Sequence, residues 1–142
     1  MHPIRLALAI VILTTAAHAA TGVLGDWRTP SGSIVRVDRC GSDICLTVVQ
    51  LQRKAPSTTD NKNPDPKLRH RSICGLTIGT GFHAPDPNHL SGGHLYDPQS
   101  GHDYRGNISA DGDTLHLRGY IGISLFGRSE TWHRSPTVPT CR

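Results

Sequence analysis

The sequence predicts a small all-β protein, an eight-stranded up-and-down antiparallel barrel with one long connection at about residues 53–72. Three observations predict it. Gly and Pro punctuate the chain at 15 and 10 positions, no segment carries the 3.6-residue apolar period of an amphipathic helix, and short strand-like runs recur at close intervals. Hairpin-linked strands in this number are most economically closed into a barrel, because closure removes exposed edges.

The runs are Gly25–Arg28, Ser33–Arg39, Ile44–Leu51, Ile73–Phe82, Gly93–Tyr96, His102–Ser109, Thr114–Ile123 and Arg128–Arg134. Thr29-Pro30-Ser31-Gly32 separates the first two with tight-turn chemistry. Asp111-Gly112 is the strongest hairpin signal, and Asp97-Pro98-Gln99-Ser100-Gly101 reads as another turn. Alternation assigns faces. Val35 and Val37 oppose Arg36 and Asp38. In the seventh run Leu115, Leu117, Ile121 and Ile123 share one face, while His116, Arg118 and Tyr120 share the other. Ile44–Leu51 is partly apolar on both faces, which predicts a covered strand.

The connection over 53–72 is polar, contains Pro64 and Pro66, and is far longer than a hairpin requires. Long loops of this kind tend to be functional or disordered. Asp60, Asn63 and Asp65 lie within it, but Lys62 stands where a calcium loop would need an oxygen ligand, and the usual Gly and closing Glu are missing. Asx turns explain these residues better. Arg69 is then placed to pair with one of the carboxylates or with an anionic ligand at a barrel mouth.

Residues 1–19 have the three parts of an export signal: Arg5, the apolar run Leu6 to Leu13, and the small-x-small site Ala17-His18-Ala19. The expectation is cleavage after Ala19, leaving one domain over 20–142 in the periplasm or outside the cell. The run is too short to span a bilayer, which takes about 20 apolar residues. The formal charge is +4, with Lys and Arg scattered rather than gathered on a face, so nucleic-acid binding is not expected.

Four cysteines, Cys40, Cys45, Cys74 and Cys141, follow the signal segment. An even count in an exported chain points to two disulfides, with three pairings open. Cys40 and Cys45 flank a turn-like Gly41-Ser42-Asp43-Ile44, and facing residues across a hairpin lie about 4.5–5.5 Å apart at Cα. Cys40–Cys45 is therefore favoured, leaving Cys74–Cys141. Loop entropy assigns the short bridge about 2 kcal/mol and the long one about 4 kcal/mol. The spacing is not C-x-x-C, so a staple is favoured over a redox pair.

Several words of the sequence are familiar together: Gly25-Asp26-Trp27, Cys40-Gly41-x-x-x-Cys45, Asn63-Pro64-Asp65-Pro66-x-Leu68-Arg69, Gly92-Gly93-x-Leu95-Tyr96-Asp97-Pro98, Gly119-Tyr120-Ile121-Gly122-Ile123-Ser124-Leu125-Phe126-Gly127-Arg128 and Thr131-Trp132-x-Arg134. In this order they resemble the bacterial "domain of unknown function 2147" family, across essentially all of 20–142. The resemblance implies an exported bacterial protein and carries no established activity. Gly25-x-Trp27 with Arg134 on the last strand also resembles the lipocalin (calycin) pattern. That resemblance implies structural roles for Trp27, closing one barrel end, and for Arg134, packed across its face. Such a stack contributes about 0.5–2 kcal/mol. The chain is shorter than typical lipocalins, so a small or partly filled cavity is expected.

Chemistry is sparsely signalled. His83, His89, His94 and His102 crowd one stretch, yet their spacing matches no ligand motif, and no metal or cofactor is expected. No G-x-S-x-G is present, and Glu130 is the only glutamate, beside Thr131-Trp132 on a strand expected to be structural. No catalytic residue is assigned, and a hydrolase ranks third. Tyr96, Tyr104, Arg118 and Tyr120 are ligand-binding candidates if the polar face turns inward, and ordinary cross-strand pairs if it faces solvent. The leading expectation is an exported, lipocalin-like barrel that binds a small apolar or amphiphilic ligand. The alternative is an envelope module that contacts another protein or a cell-wall component through 53–72 and its outer surface.

Overall fold

The computed structural model describes residues 22–122, 127–136 and 141. Eight strands form a closed barrel in sequence order: β1 (Gly25–Arg28), β2 (Ile34–Cys40), β3 (Asp43–Gln50), β4 (Thr77–Asp86), β5 (His89–Asp97), β6 (His102–Asp111), β7 (Thr114–Tyr120) and β8 (Gly127–Arg134). Each pairs antiparallel with the next, and β8 returns to β1 through Trp27–Arg134 and Arg28–His133. The up-and-down barrel predicted from the alternation is the observed architecture.

Turn chemistry sets the hairpins. The β1–β2 turn closes through Gly32 N to Thr29 O at 2.9 Å, and the β6–β7 turn places Gly112 at a positive φ of 56°. The β4–β5 hairpin is longer than the sequence reading made it. Asp86 Oδ1 accepts from Asn88 N at 2.8 Å, an Asx turn that lets β5 begin at His89 rather than Gly93. Two other boundaries also differ. Residues 73–76 form a turn knitted to β3 by Gly75 N to Val48 O at 2.8 Å, so β4 starts at Thr77, not Ile73. The seventh strand ends at Tyr120, and Ile121, expected on the inward face, is 63% exposed. Ile123 and residues 124–126 lie outside the described residues, as do the expected signal segment and its cleavage site.

Alternation sorts the faces as a barrel requires. Leu115, Leu117 and Gly119 of β7 are buried, whereas His116 is exposed and Arg118 and Tyr120 are half-buried on the outer face. β3 behaves the same way, with Ile44, Leu46 and Val48 buried and Cys45, Thr47 and Val49 half-buried. It is therefore one stave among eight rather than a strand covered on both sides.

The interior is packed solid around Trp27, Leu46 and Phe82, all at 0% exposure. Phe82 reaches across to β5, where a Cβ on Gly93 would collide with its ring. Glycine at that position is what admits an aromatic plug at the barrel's waist. Disulfides join Cys40 to Cys45 and Cys74 to Cys141. The first staples the β2–β3 hairpin, and the second ties residue 141 to the segment leading into β4.

Candidate functional site

The two ends of the barrel are built differently. At one end, the chain leading into β1 closes the bottom. Trp27 Nε1 donates to Val23 O at 2.8 Å, and Val23 N donates to Pro87 O of the β4–β5 turn at 2.9 Å. The Arg134 guanidinium lies 4.1 Å from the Trp27 ring centroid. It donates to Leu24 O (3.1 Å), Gly22 O (2.9 Å), Gly112 O (3.1 Å) and Asp113 Oδ1 (3.0 Å). One cation thus joins both ends of the barrel sequence and the β6–β7 turn.

Above the Phe82 plug the barrel is hollow. A cavity of about 550 Å³ occupies the other half and opens among the β1–β2, β3–β4 and β5–β6 connections. Its wall is mainly apolar, with Val35, Val48, Ile78, Leu95, Leu117 and Trp132 contributed by six strands and Arg128 and Glu130 of β8 beside them. Rim residues from the loops include Ser31, Pro56, Lys62 and Gln99. That volume falls within the roughly 300–1,000 Å³ usual for small-molecule pockets.

The long connection folds over this mouth as an antiparallel lobe. Asp60 N bonds Arg71 O at 3.0 Å, and Ile73 N bonds Thr58 O at 3.0 Å. Within the lobe a 3-10 turn over Pro66–Leu68 is capped by Asp65, whose side chain accepts from Lys67 N at 2.9 Å. The lobe presses on the β5–β6 turn so closely that a Cβ on Gly101, at φ 76°, would strike the Lys62 carbonyl.

What anchors the lobe is a buried carboxylate. Asp60, at 0% exposure, accepts from Tyr96 Oη at 2.5 Å, Arg71 Nε at 2.8 Å and Asn63 Nδ2 at 2.8 Å. Arg71 also sits 5.7 Å from the Tyr96 ring centroid. A buried carboxylate needs donors of this number to offset its lost hydration. The same contact acts on Tyr96. Burial, with the hydrogen bond it donates to Asp60 second, pushes the phenol up to about 12.

The residues singled out in the sequence therefore separate into groups. Tyr96 and Tyr104 line the cavity, and Tyr96 meets Asp60 and Asn63 in one network. Arg118 and Tyr120 lie on the outer face of β7, where Arg118 Nη1 donates to Ser129 Oγ at 3.1 Å. Arg69 is exposed and donates to Asn63 O at 2.7 Å; Arg71, two residues on, makes the ion pair with Asp60. His83 and His89 each lie beside an aspartate, at 3.4 Å from Asp43 and 2.9 Å from Asp86. Among the described residues, no three His, Cys, Asp or Glu side chains converge as a metal site.

Sequence reasoning passed over Glu130 as a binding residue, and its signal was present. Glu130 alternates with Trp132 along β8 and faces Leu117 of β7, so parity alone turns it inward, where it lines the cavity.

Residues 25–134 match the family described as "uncharacterized protein conserved in bacteria (DUF2147)". Comparison with the curated proteins finds no match. Among solved structures, protein HP1028 from the human pathogen Helicobacter pylori, described as belonging to the lipocalin family, has the same fold. The likeness has a TM-score of 0.73 at 21% identity and covers 81% of this chain and 84% of that one. With the matching region spanning the whole barrel from β1 to β8, the chain belongs to the bacterial DUF2147 family and has a lipocalin-like fold.

Proposed function

We propose that the protein is an exported binding protein that holds a small apolar or amphiphilic ligand in the mouth half of its barrel, in the periplasm or outside the cell. The observation that carries this reading is the apolar-walled cavity of about 550 Å³ above a solid floor. A barrel built only for stability would extend its side-chain packing to the mouth, because voids cost contacts. Here the packing gives way above Phe82 to a chamber walled mainly by Val, Ile, Leu and Trp132, with a few polar side chains among them. Burying an apolar ligand there returns about 25 cal/mol for each Å² removed from water. Export is supported by the signal-like residues 1–19 and by two disulfides, which persist in oxidising compartments.

Native mass spectrometry on protein prepared from the periplasm and the medium tests the reading. A small non-covalent adduct, lost on unfolding, is the expected result, together with a mass that starts at Ala20. Protein that stays adduct-free and also fails to take up 1-dodecanol in a calorimetric titration would remove the binding function.

A further inference from the structure

Resting on that reading, we infer that the cavity selects an amphiphile with a protonated amine head, and that Glu130 is the residue that receives it. Glu130 is the only glutamate in the chain. It stands on β8 opposite Leu117 and borders the same chamber as Val48, Leu95 and Trp132. A carboxylate on an apolar wall is unfavourable unless hydrogen bonds replace its lost water.

The protein supplies only part of that replacement. Glu130 Oε2 accepts from Trp132 Nε1 at 2.8 Å, which fixes the carboxylate against a 4% exposed indole. The other oxygen has Arg128 Nη2 at 3.9 Å, beyond hydrogen-bond length. The Arg128 side chain is 76% exposed, against 32% for that of Glu130. Its charge is therefore largely turned to water and screened. An ionised carboxylate accepts at about four lone-pair sites, so most of its capacity is left for a donor within the chamber.

The indole N–H does not by itself account for a glutamate, because a glutamine carbonyl would accept it equally. The negative charge has beside it the long, water-facing ion pair to Arg128, and a cationic donor inside the chamber is what it further fits. A protonated amine supplies N–H groups and the compensating charge together, making a charge-assisted bond that is about twice as strong as a neutral one. An anionic head would instead meet a like charge at this point of the wall, since Arg128 and Lys62, two cations that border the chamber, are exposed to water, where their charge is screened. The apolar body of the ligand then packs on Val35, Val48, Ile78 and Leu95, while half-buried Tyr104, two strands away on β6, offers a second polar contact in the same chamber.

Calorimetric titration of the purified full chain with dodecylamine, dodecanoate and 1-dodecanol, below their aggregation concentrations, tests this. Dodecylamine is expected to bind about 10-fold tighter than dodecanoate, the factor one charge-assisted contact supplies. In Glu130→Gln, which keeps an acceptor for Trp132, that preference is expected to vanish while 1-dodecanol binding stays within about 3-fold, a difference of less than 1 kcal/mol. Dodecanoate binding as tightly as dodecylamine, or an amine preference that survives Glu130→Gln, overturns the inference while leaving the cavity a binding site. Failure of all three probes to bind overturns both.

Discussion

Each end of the barrel sets an arginine against an aromatic ring, but the acceptors around the two cations differ. At the closed end Arg134 covers Trp27 and bonds three backbone carbonyls, with a single exposed carboxylate, Asp113, at the margin. At the mouth Arg71 reaches over Tyr96 to one buried carboxylate, Asp60, and the phenol bonds that same group. Carbonyls do not titrate, and the floor they hold is packed on all sides. The mouth lobe hangs from three ionisable groups, Asp60, Arg71 and Tyr96, next to a cavity. The floor thus serves as permanent structure, while the cover over the ligand chamber is tied down by fewer, titratable contacts.

The largest expected effect comes from breaking the floor. Trp27→Ala removes a side chain at 0% exposure together with the ring beneath Arg134, and is expected to cost about 3–5 kcal/mol in denaturant unfolding. A smaller cost than that of any mouth variant would dissolve the contrast between the two ends.

The next effect is at the mouth. Asp60→Asn keeps the side-chain size but removes the charge that Arg71, Tyr96 and Asn63 address. A loss of about 1.5–3 kcal/mol is expected, the range for hydrogen bonds to charged groups. Hydrogen exchange should localise it, with amides of residues 58–73 exchanging faster and those of β1 and β8 unchanged. Equal acceleration in β1 and β8 would mean that the lobe and the floor form one cooperative unit.

The smallest effect is a pH dependence. The phenol of Tyr96 is pushed up to about 12 from the usual value of 10.0, first by burial and then by the bond to Asp60. The folded protein therefore holds this proton more tightly than the unfolded chain does. The associated stability is complete below about pH 10 and is lost as pH rises through about 12. Urea midpoints measured across that window should fall less steeply in Tyr96→Phe than in the parent protein. Parallel slopes would show that the mouth does not feel this proton.

Much of the barrel was legible because strand alternation and turn chemistry are local. Gly32, Gly101 and Gly112 mark three of the turns, and the parity of β7 separates Leu115 and Leu117 from Arg118 and Tyr120. The same parity places Glu130 beside Trp132, although nothing local says whether an inward residue meets a core or a cavity. Alternation also runs on past the point where a strand ends, which is why Ile121 reads as buried and is exposed. The connection over 53–72 was the least legible part. Without a period there is no local rule that sends Arg71 inward to Asp60 and leaves Arg69 on the outside.

From sequence alone, then, the chain determined its class, the order and direction of eight strands, and which residues share a face. Those properties depend on neighbours two to five residues apart. Only the tertiary structure decided that the lower half is solid and the upper half hollow, because that turns on the Phe82 ring meeting a bare Gly93 on the next strand. It alone decided, too, that Asp60 meets Tyr96, 36 residues away. Contacts of that range are set by how the barrel closes, and no local pattern encodes them.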